Sequence, residues 1–347
     1  MKTIYIKLPI HTIISFVFII YLAIPPVRAG EVPRAGKPEY SFKLAAVAPE
    51  GTSWADTGAK FKKYVEENSG GRIRVTWYLG GIMGDEPDVI RKIHLGQLQG
   101  GGFTNVGLAL MVPETQILLL PFLFNNPEEI DFIYQKMQIH FQRLFEEHGF
   151  VLAGWLEVGF NYWFTKNPIA TPADFPSCRM WAWPGDQVNT EINQVLGFQN
   201  IPVPLIEVLT ALQTGMVNSF YGPLYAILAL QWYTHARYFI DLPFSYTPAG
   251  IAMDKKFMDG LPPELRRIIL DGWNLYLPDL VKRIRQDNVK TYQSLKTKMK
   301  FTNLSPEDIQ KIREKVYCIN QKYVDQLYPS WLLSGILNSL AEYRSRK

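Results

Sequence analysis

The segment YSFKLAAVAPEGTSWADTGAKFKKYVEENSGGRIRVTWYLGGIMGDEPDVIRKIHLGQLQGG (Tyr40–Gly101) switches repeatedly between extended and helical signals. Tyr40 to Val47 reads as a strand that runs into a turn at Ala48-Pro49-Glu50-Gly51. Trp54, Gly58, Phe61 and Val65 then recur at helical spacing until Gly70-Gly71 stops them. Arg72 to Tyr78 alternates strictly, with Ile73, Val75 and Trp77 on one face, which predicts a half-buried strand. Gly80, Gly81 and Gly84 make a loop. Pro87 suits the first turn of a second helix, capped by Asp85 or Glu86 and buried through Val89, Ile90 and Ile93. Strand–helix–strand–helix order predicts an α/β sheet.

Downstream, Ile117 to Phe124 is a dense apolar run before Asn125-Asn126-Pro127, where a helix to about Glu147 begins. Phe150 to Phe164 is aromatic and β-prone, and Thr171–Asp174 turns the chain into a short strand at Arg179–Trp183. Leu205, Val208, Leu209 and Leu212 form a helical stripe stopped by Gly215, and Met216 to Tyr221 reads as a strand. The last hundred residues are mainly helical. Pro262-Pro263 opens a stretch to about Lys298, with Pro278 a kink or break, and Ser305 caps a further helix near Cys318.

Upstream, Lys2 and Lys7 precede an apolar run, IISFVFIIYLAI (Ile13–Ile24), and Val27 and Ala29 flank a cleavage point before Gly30. This predicts a secretory signal over residues 1–29, cleaved near Ala29. The run is shorter than the roughly 20 residues of a spanning helix. Lys2, Lys7 and Arg28 are the segment's only charges, so its removal takes the net charge of the 347-residue chain from +4 to +1. With 47% hydrophobic and 20% charged residues the mature chain reads as folded, and near-neutrality gives no case for nucleic acid. Gly30–Pro38 reads as a flexible leader. Cys178 and Cys318 either pair, as an oxidising compartment allows, or stay as two thiols.

Catalytic devices are missing. The sequence has no G-x-S-x-G elbow, Walker A loop or H-E-x-x-H. Gly100-Gly101-Gly102 follows a helix, so it lacks the setting of a phosphate cradle. His94, His140, His148 and His235 read as solvated or capping residues, and the pairs Asp85-Glu86 and Glu146-Glu147 as helix-end charges. No enzyme, metal or cofactor is implied.

Three stretches taken together resemble the DctP-type solute-binding subunit of TRAP transporters. They are Tyr40–Gly101, with its P-E-G turn and G-G-x-x-G-D loop; LLPF at Leu119–Phe122; and IPVPLIEVLTALQTGMVNSFYGP at Ile201–Pro223. The resemblance implies an α/β, two-lobed periplasmic-binding-protein fold with crossing strands, a long linking helix and a ligand cleft between the lobes. It places lobe I at 40–157 with 248–285, lobe II at 158–247 with 305–340, and the linking helix at 262–298. It further implies an exported periplasmic protein that closes on a small organic ligand and delivers it to TRAP membrane subunits. Some atypical systems of this kind add a helical-repeat periplasmic partner.

The departures concern the ligand. Carboxylate-binding members use an Arg in a segment like G-L-K-x-R-V-P, since a guanidinium forks onto a carboxylate. Here that segment is Ser177-Cys178-Arg179-Met180-Trp181-Ala182-Trp183, with Trp181 in the clamp place. A two-residue shift would instead restore Arg179. Pro87 and Asn161 stand where some acid binders place further arginines, and Asn218-Ser219-Phe220-Tyr221 replaces the family's D-G-x-E. The candidate site is Trp181, Tyr221, Arg179, Phe160, Asn161, Tyr162, Trp183, Tyr225, Phe103 and Thr104. Aromatic walls favour apolar, aromatic or amphipathic ligands. The alternatives are an organic-acid binder using Arg179, and a sensory or assembly protein whose surface matters more than its cleft. Any single aromatic at period two can equally be core.

Overall fold

The structure, a computed structural model, describes residues 37–346. The expected signal over 1–29 lies outside the described residues. The first strand, β1 (Tyr40–Ala46), leads into α1 (Ser53–Asn68), β2 (Ile73–Tyr78), α2 (Glu86–His94), β3 (Gly100–Thr104) and α3 (Asn105–Met111). β1 lies between β2 and β3 and is parallel to both. Ile73 and Val75 are buried as the alternation predicts. Asp85 caps α2, accepting from the Glu86 amide, with Pro87 in the first turn.

The glycine run does not cradle phosphate. It is the strand β3, and Gly102 lets an indole lie across it: a Cβ there would sit 2.6 Å from Trp54. After a 3-10 turn over Pro113–Leu119 come α4 (Pro127–Glu147) and the 16-residue β4 (Phe150–Thr165). Then follow β5 (Arg179–Ala182), α5 (Gln187–Leu196), β6 (Gln199–Pro202), α6 (Val208–Thr214), β7 (Ser219–Pro223) and α7 (Leu224–Ala229). β5 is parallel to both β6 and β7. Gly215 ends α6 in the left-handed region, at φ 75°.

The 17-residue β8 (Tyr238–Asp254) runs antiparallel to β4 along most of its length, giving the sheet order β2-β1-β3-β8-β4-β7-β5-β6. Two parallel halves are therefore joined by one long crossing pair. Register shifts at Leu152/Gly154, Glu157/Gly159 and Asn161/Trp163 bend that pair. The sequence reading had no strand here. Pro243 and Pro248 argue against a central strand, and pairing to β4 is interrupted between Ile240 and Ser245, around Pro243.

The chain closes with α8 (Lys255–Asp259), α9 (Pro263–Lys298), β9 (Lys300–Thr302) on β8, α10 (Pro306–Tyr317), α11 (Ile319–Lys322) and α12 (Ser330–Ser345). α9 has 36 residues, so it spans about 54 Å. It runs through Pro278 without the break allowed for there. One end packs on α1, with Trp273 stacked on Phe61 at 3.7 Å. Further along, Leu280 and Ile284 are buried in the same apolar cluster as Leu156 and Val158 of β4. A larger cluster fills the second half and takes in Ile117–Leu120, Ile130, Ile133 and Phe141, which the expected 40–157 boundary assigned to the first. Cys178 and Cys318 are free thiols, one buried and one exposed.

Candidate functional site

β5 and β7 are parallel, and their carboxyl ends open on a crevice, the usual ligand side of such strands. Trp181 and Tyr221 stack across them at 5.2 Å, and Trp232 meets Trp181 edge-on at 4.9 Å. Trp183, Tyr225, Trp54 and Ile227 continue the wall of a cavity of about 90 Å³. The Trp181 Nε1–H donates to the Val203 carbonyl at 2.8 Å, which fixes the ring and leaves a face for contact. No Lys, Arg or His lines the cavity.

Four of its polar residues, Thr247, Asn161, Asp186 and Tyr221, are joined in one chain through Ser245 and Asn189. Thr247 Oγ1 donates to Asn161 Oδ1 (2.9 Å), and Asn161 Nδ2 donates to Ser245 Oγ (2.8 Å). Ser245 Oγ donates to Asn189 Oδ1 (2.7 Å), and Asn189 Nδ2 to Asp186 Oδ2 (2.9 Å). Tyr221 OH donates to the same Asp186 oxygen at 2.8 Å. Burial pushes the Asp186 carboxyl above the usual carboxylate range, while its Asn189 and Tyr221 donors pull the other way. Burial and the neighbouring Asp186 push the Tyr221 phenol well up. Every member of the chain is hydrogen-bonded, so it rigidifies the floor instead of leaving polar groups orphaned.

The opposite wall belongs to the β1–β3 half. Thr104 and Asn105 line it, and Glu86 lies behind them. Burial pushes the Glu86 carboxyl up to about 8, against donors from Thr104 N, Thr104 Oγ1 and Gly107 N that favour the anion. Asp85 Oδ2 accepts from Trp183 Nε1 (3.0 Å) and from Leu205 N (2.8 Å). The acid pair does sit at the helix end, with Asp85 as the cap of α2, but it is buried, at 5% and 1% exposure, so solvation does not explain it.

Trp181, Trp183, Tyr221, Tyr225, Asn161 and Thr104 come together at this cavity. Arg179 does not. It begins β5, two residues back from the crevice, and pairs in parallel with Gln199 without a shift. Its guanidinium instead donates to the Gly215 (2.8 Å) and Met216 (3.2 Å) carbonyls, at the C-terminal end of α6. Phe160 and Tyr162 alternate with Asn161 and so face away, onto a separate groove beside Arg285. Phe103 is core, 1% exposed.

The sequence reading missed Asp186, Asn189, Trp54 and Trp232. Asp186 follows Pro184-Gly185, a turn signal, and only the tertiary fold buries it. Among the described residues no group of three His, Cys, Asp or Glu could hold a metal, and no helix is long and apolar enough to cross a membrane.

A family profile, bacterial extracellular solute-binding protein family 7 (DctP), matches residues 44–326. The ectoine-binding periplasmic protein TeaA of Halomonas elongata is 23% identical over 276 residues, 76% of this chain and 79% of its own. The ectoine/5-hydroxyectoine-binding periplasmic protein UehA of Ruegeria pomeroyi is 24% identical over 251 residues, 70% of this chain and 71% of its own. The sugar acid binding protein DctPAm of Advenella mimigardefordensis, solved with galactonate, superposes with a TM-score of 0.81 at 23% identity, covering 88% of this chain and 99% of that one. The chain belongs to the DctP family of extracellular solute-binding proteins, the non-enzymatic ligand-capturing subunits of TRAP transporters.

Proposed function

We propose that this protein captures a compact apolar, aromatic or amphipathic molecule between its two halves and hands it to TRAP membrane subunits. The observation that carries this reading is the composition of the cavity wall: stacked indoles and phenols, no cationic side chain, and one acid, Asp186, already engaged by Tyr221 and Asn189. A carboxylate brought there would lose hydration without a guanidinium to replace it. Aromatic faces gain from desolvating ring or aliphatic surface instead.

The competing organic-acid reading needs Arg179, and that side chain is engaged on the α6 carbonyls, outside the cavity. The relatives' ligands, ectoines and a sugar acid, show how widely cargo varies on this fold. Mass spectrometry of the small molecules released from protein purified from the periplasm tests the proposal. A ring-bearing or aliphatic molecule supports it; a simple dicarboxylate, with matching thermal stabilisation lost in Arg179→Ala, overturns it. Export through cleavage near Ala29 is part of the same proposal, and N-terminal sequencing of the mature protein, expected to begin at Gly30, checks it.

A further inference from the structure

We propose that Asp85 is a positioning residue that latches the closed cleft and ties one wall of the ligand cavity to closure. It rests on the carrier reading above but not on the chemistry of the cargo.

The geometry is specific. Asp85 sits at the start of α2, in the β1–β3 half, and is 5% exposed. Oδ1 accepts from the Glu86 amide at 2.8 Å, an ordinary helix cap. Oδ2 reaches the other half, where it accepts from the Trp183 indole N–H at 3.0 Å and the Leu205 amide at 2.8 Å. Those donors lie 98 and 120 residues along the chain. One carboxylate thus holds two donors of the opposite half, and both donor residues, Trp183 and Leu205, line the cavity.

That sharing makes the contact more than a clasp. A ligand that seats against Trp183 fixes the indole whose N–H Asp85 accepts. The indole is held by packing on Trp181 at 5.8 Å and by this bond. When the halves part, both donors and Oδ2 return to water, and Asp85 keeps only its capping role. The bonds are to an ionisable acceptor and buried, the class with the largest net contribution. A second contact sits beside the latch. Ile206, next to Leu205, lies so close to Gly81 that a Cβ at position 81 would be 2.7 Å from its Cγ2. Gly81 is also in the left-handed region, at φ 75°, so the loop before α2 takes the shape that admits Ile206.

The test uses the full chain with a spin label at Lys63→Cys on α1 and another on the exposed native Cys318; buried Cys178 stays unlabelled. Electron–electron double resonance then reads the ratio of closed to open separations. In Asp85→Ser, which keeps a capping hydroxyl but is too short to reach the other half, that ratio falls about tenfold while the melting temperature stays near that of the parent. Trp183→Phe, which keeps a ring and loses the N–H, moves the ratio in the same direction by less. A parent protein that never populates the closed separation overturns the proposal. So does an unchanged ratio in both variants. A cargo that proves to be a dicarboxylate would break the preceding proposal and leave this ratio where it is.

Discussion

β4 separates two hollows of opposite character. On one side Asn161 faces the aromatic cavity of about 90 Å³; on the other, Phe160 and Tyr162 face a groove of about 520 Å³. Size alone would choose the groove. Chemistry chooses the cavity. The groove's one cation, Arg285, is consumed by Glu157 (2.8 and 2.9 Å) and Asp131 (2.8 and 2.7 Å). Glu157 is buried and needs that partner, so the groove side holds the crossing strands and α9 together. On the cavity side Trp181, Trp183 and Tyr221 spend their N–H and O–H groups on Val203, Asp85 and Asp186 and keep their ring faces. On the proposed reading one strand carries adhesion on one face and recognition on the other, divided by its period of two.

The sharpest way to break this contrast is to delete a wall on the cavity side. Trp181→Ala should abolish ligand retention and cost about 3–5 kcal/mol in denaturant unfolding, since the ring is 3% exposed. Retained binding in that variant would place recognition elsewhere. On the groove side, Arg285→Ala should cost roughly 2–3 kcal/mol by stranding Glu157, with ligand affinity in calorimetry unchanged. An affinity loss there without a stability loss would reverse the assignment of the two faces.

The buried acid behind Thr104 sharpens the cavity side further. Glu86 is pushed from 4.5 up to about 8, so the folded protein keeps a proton that the unfolded chain releases. Stability should therefore fall as pH rises from about 4.5 through about 8, by at most about 1.4 kcal/mol per unit from this group. Glu86→Gln should flatten that slope, which denaturant curves at both ends of the window would show. The smallest effect belongs to Arg179→Ala. Exposed and bonded to two carbonyls, it should cost under about 1 kcal/mol and leave ligand retention intact.

What the sequence disclosed follows from how locally each feature is specified. The first half was legible because its strands, caps and glycine stops are written in short-range code: Asp85 before Pro87, Ile73 and Val75 alternating. β8 was not, because Pro243 and Pro248 deny a central strand locally while β4, some ninety residues away, imposes it. At the site, Trp181 and Tyr221 could be named because the resemblance to the DctP family puts ligand positions at both. Phe160 and Tyr162 could not be told from Asn161 without knowing which face of β4 meets the cavity. Asp186 and Asp85 look like ordinary turn and cap acids until the fold sets them against Tyr221 and Trp183.

The two sulfurs bear on how the chain matures. Cys178 is sealed at the start of β5 and Cys318 lies open at the end of α10, unjoined. Nothing covalent has to be oxidised for the native state to form, so its assembly makes no demand on disulfide-forming enzymes. A reductant such as dithiothreitol should leave the melting curve where it was.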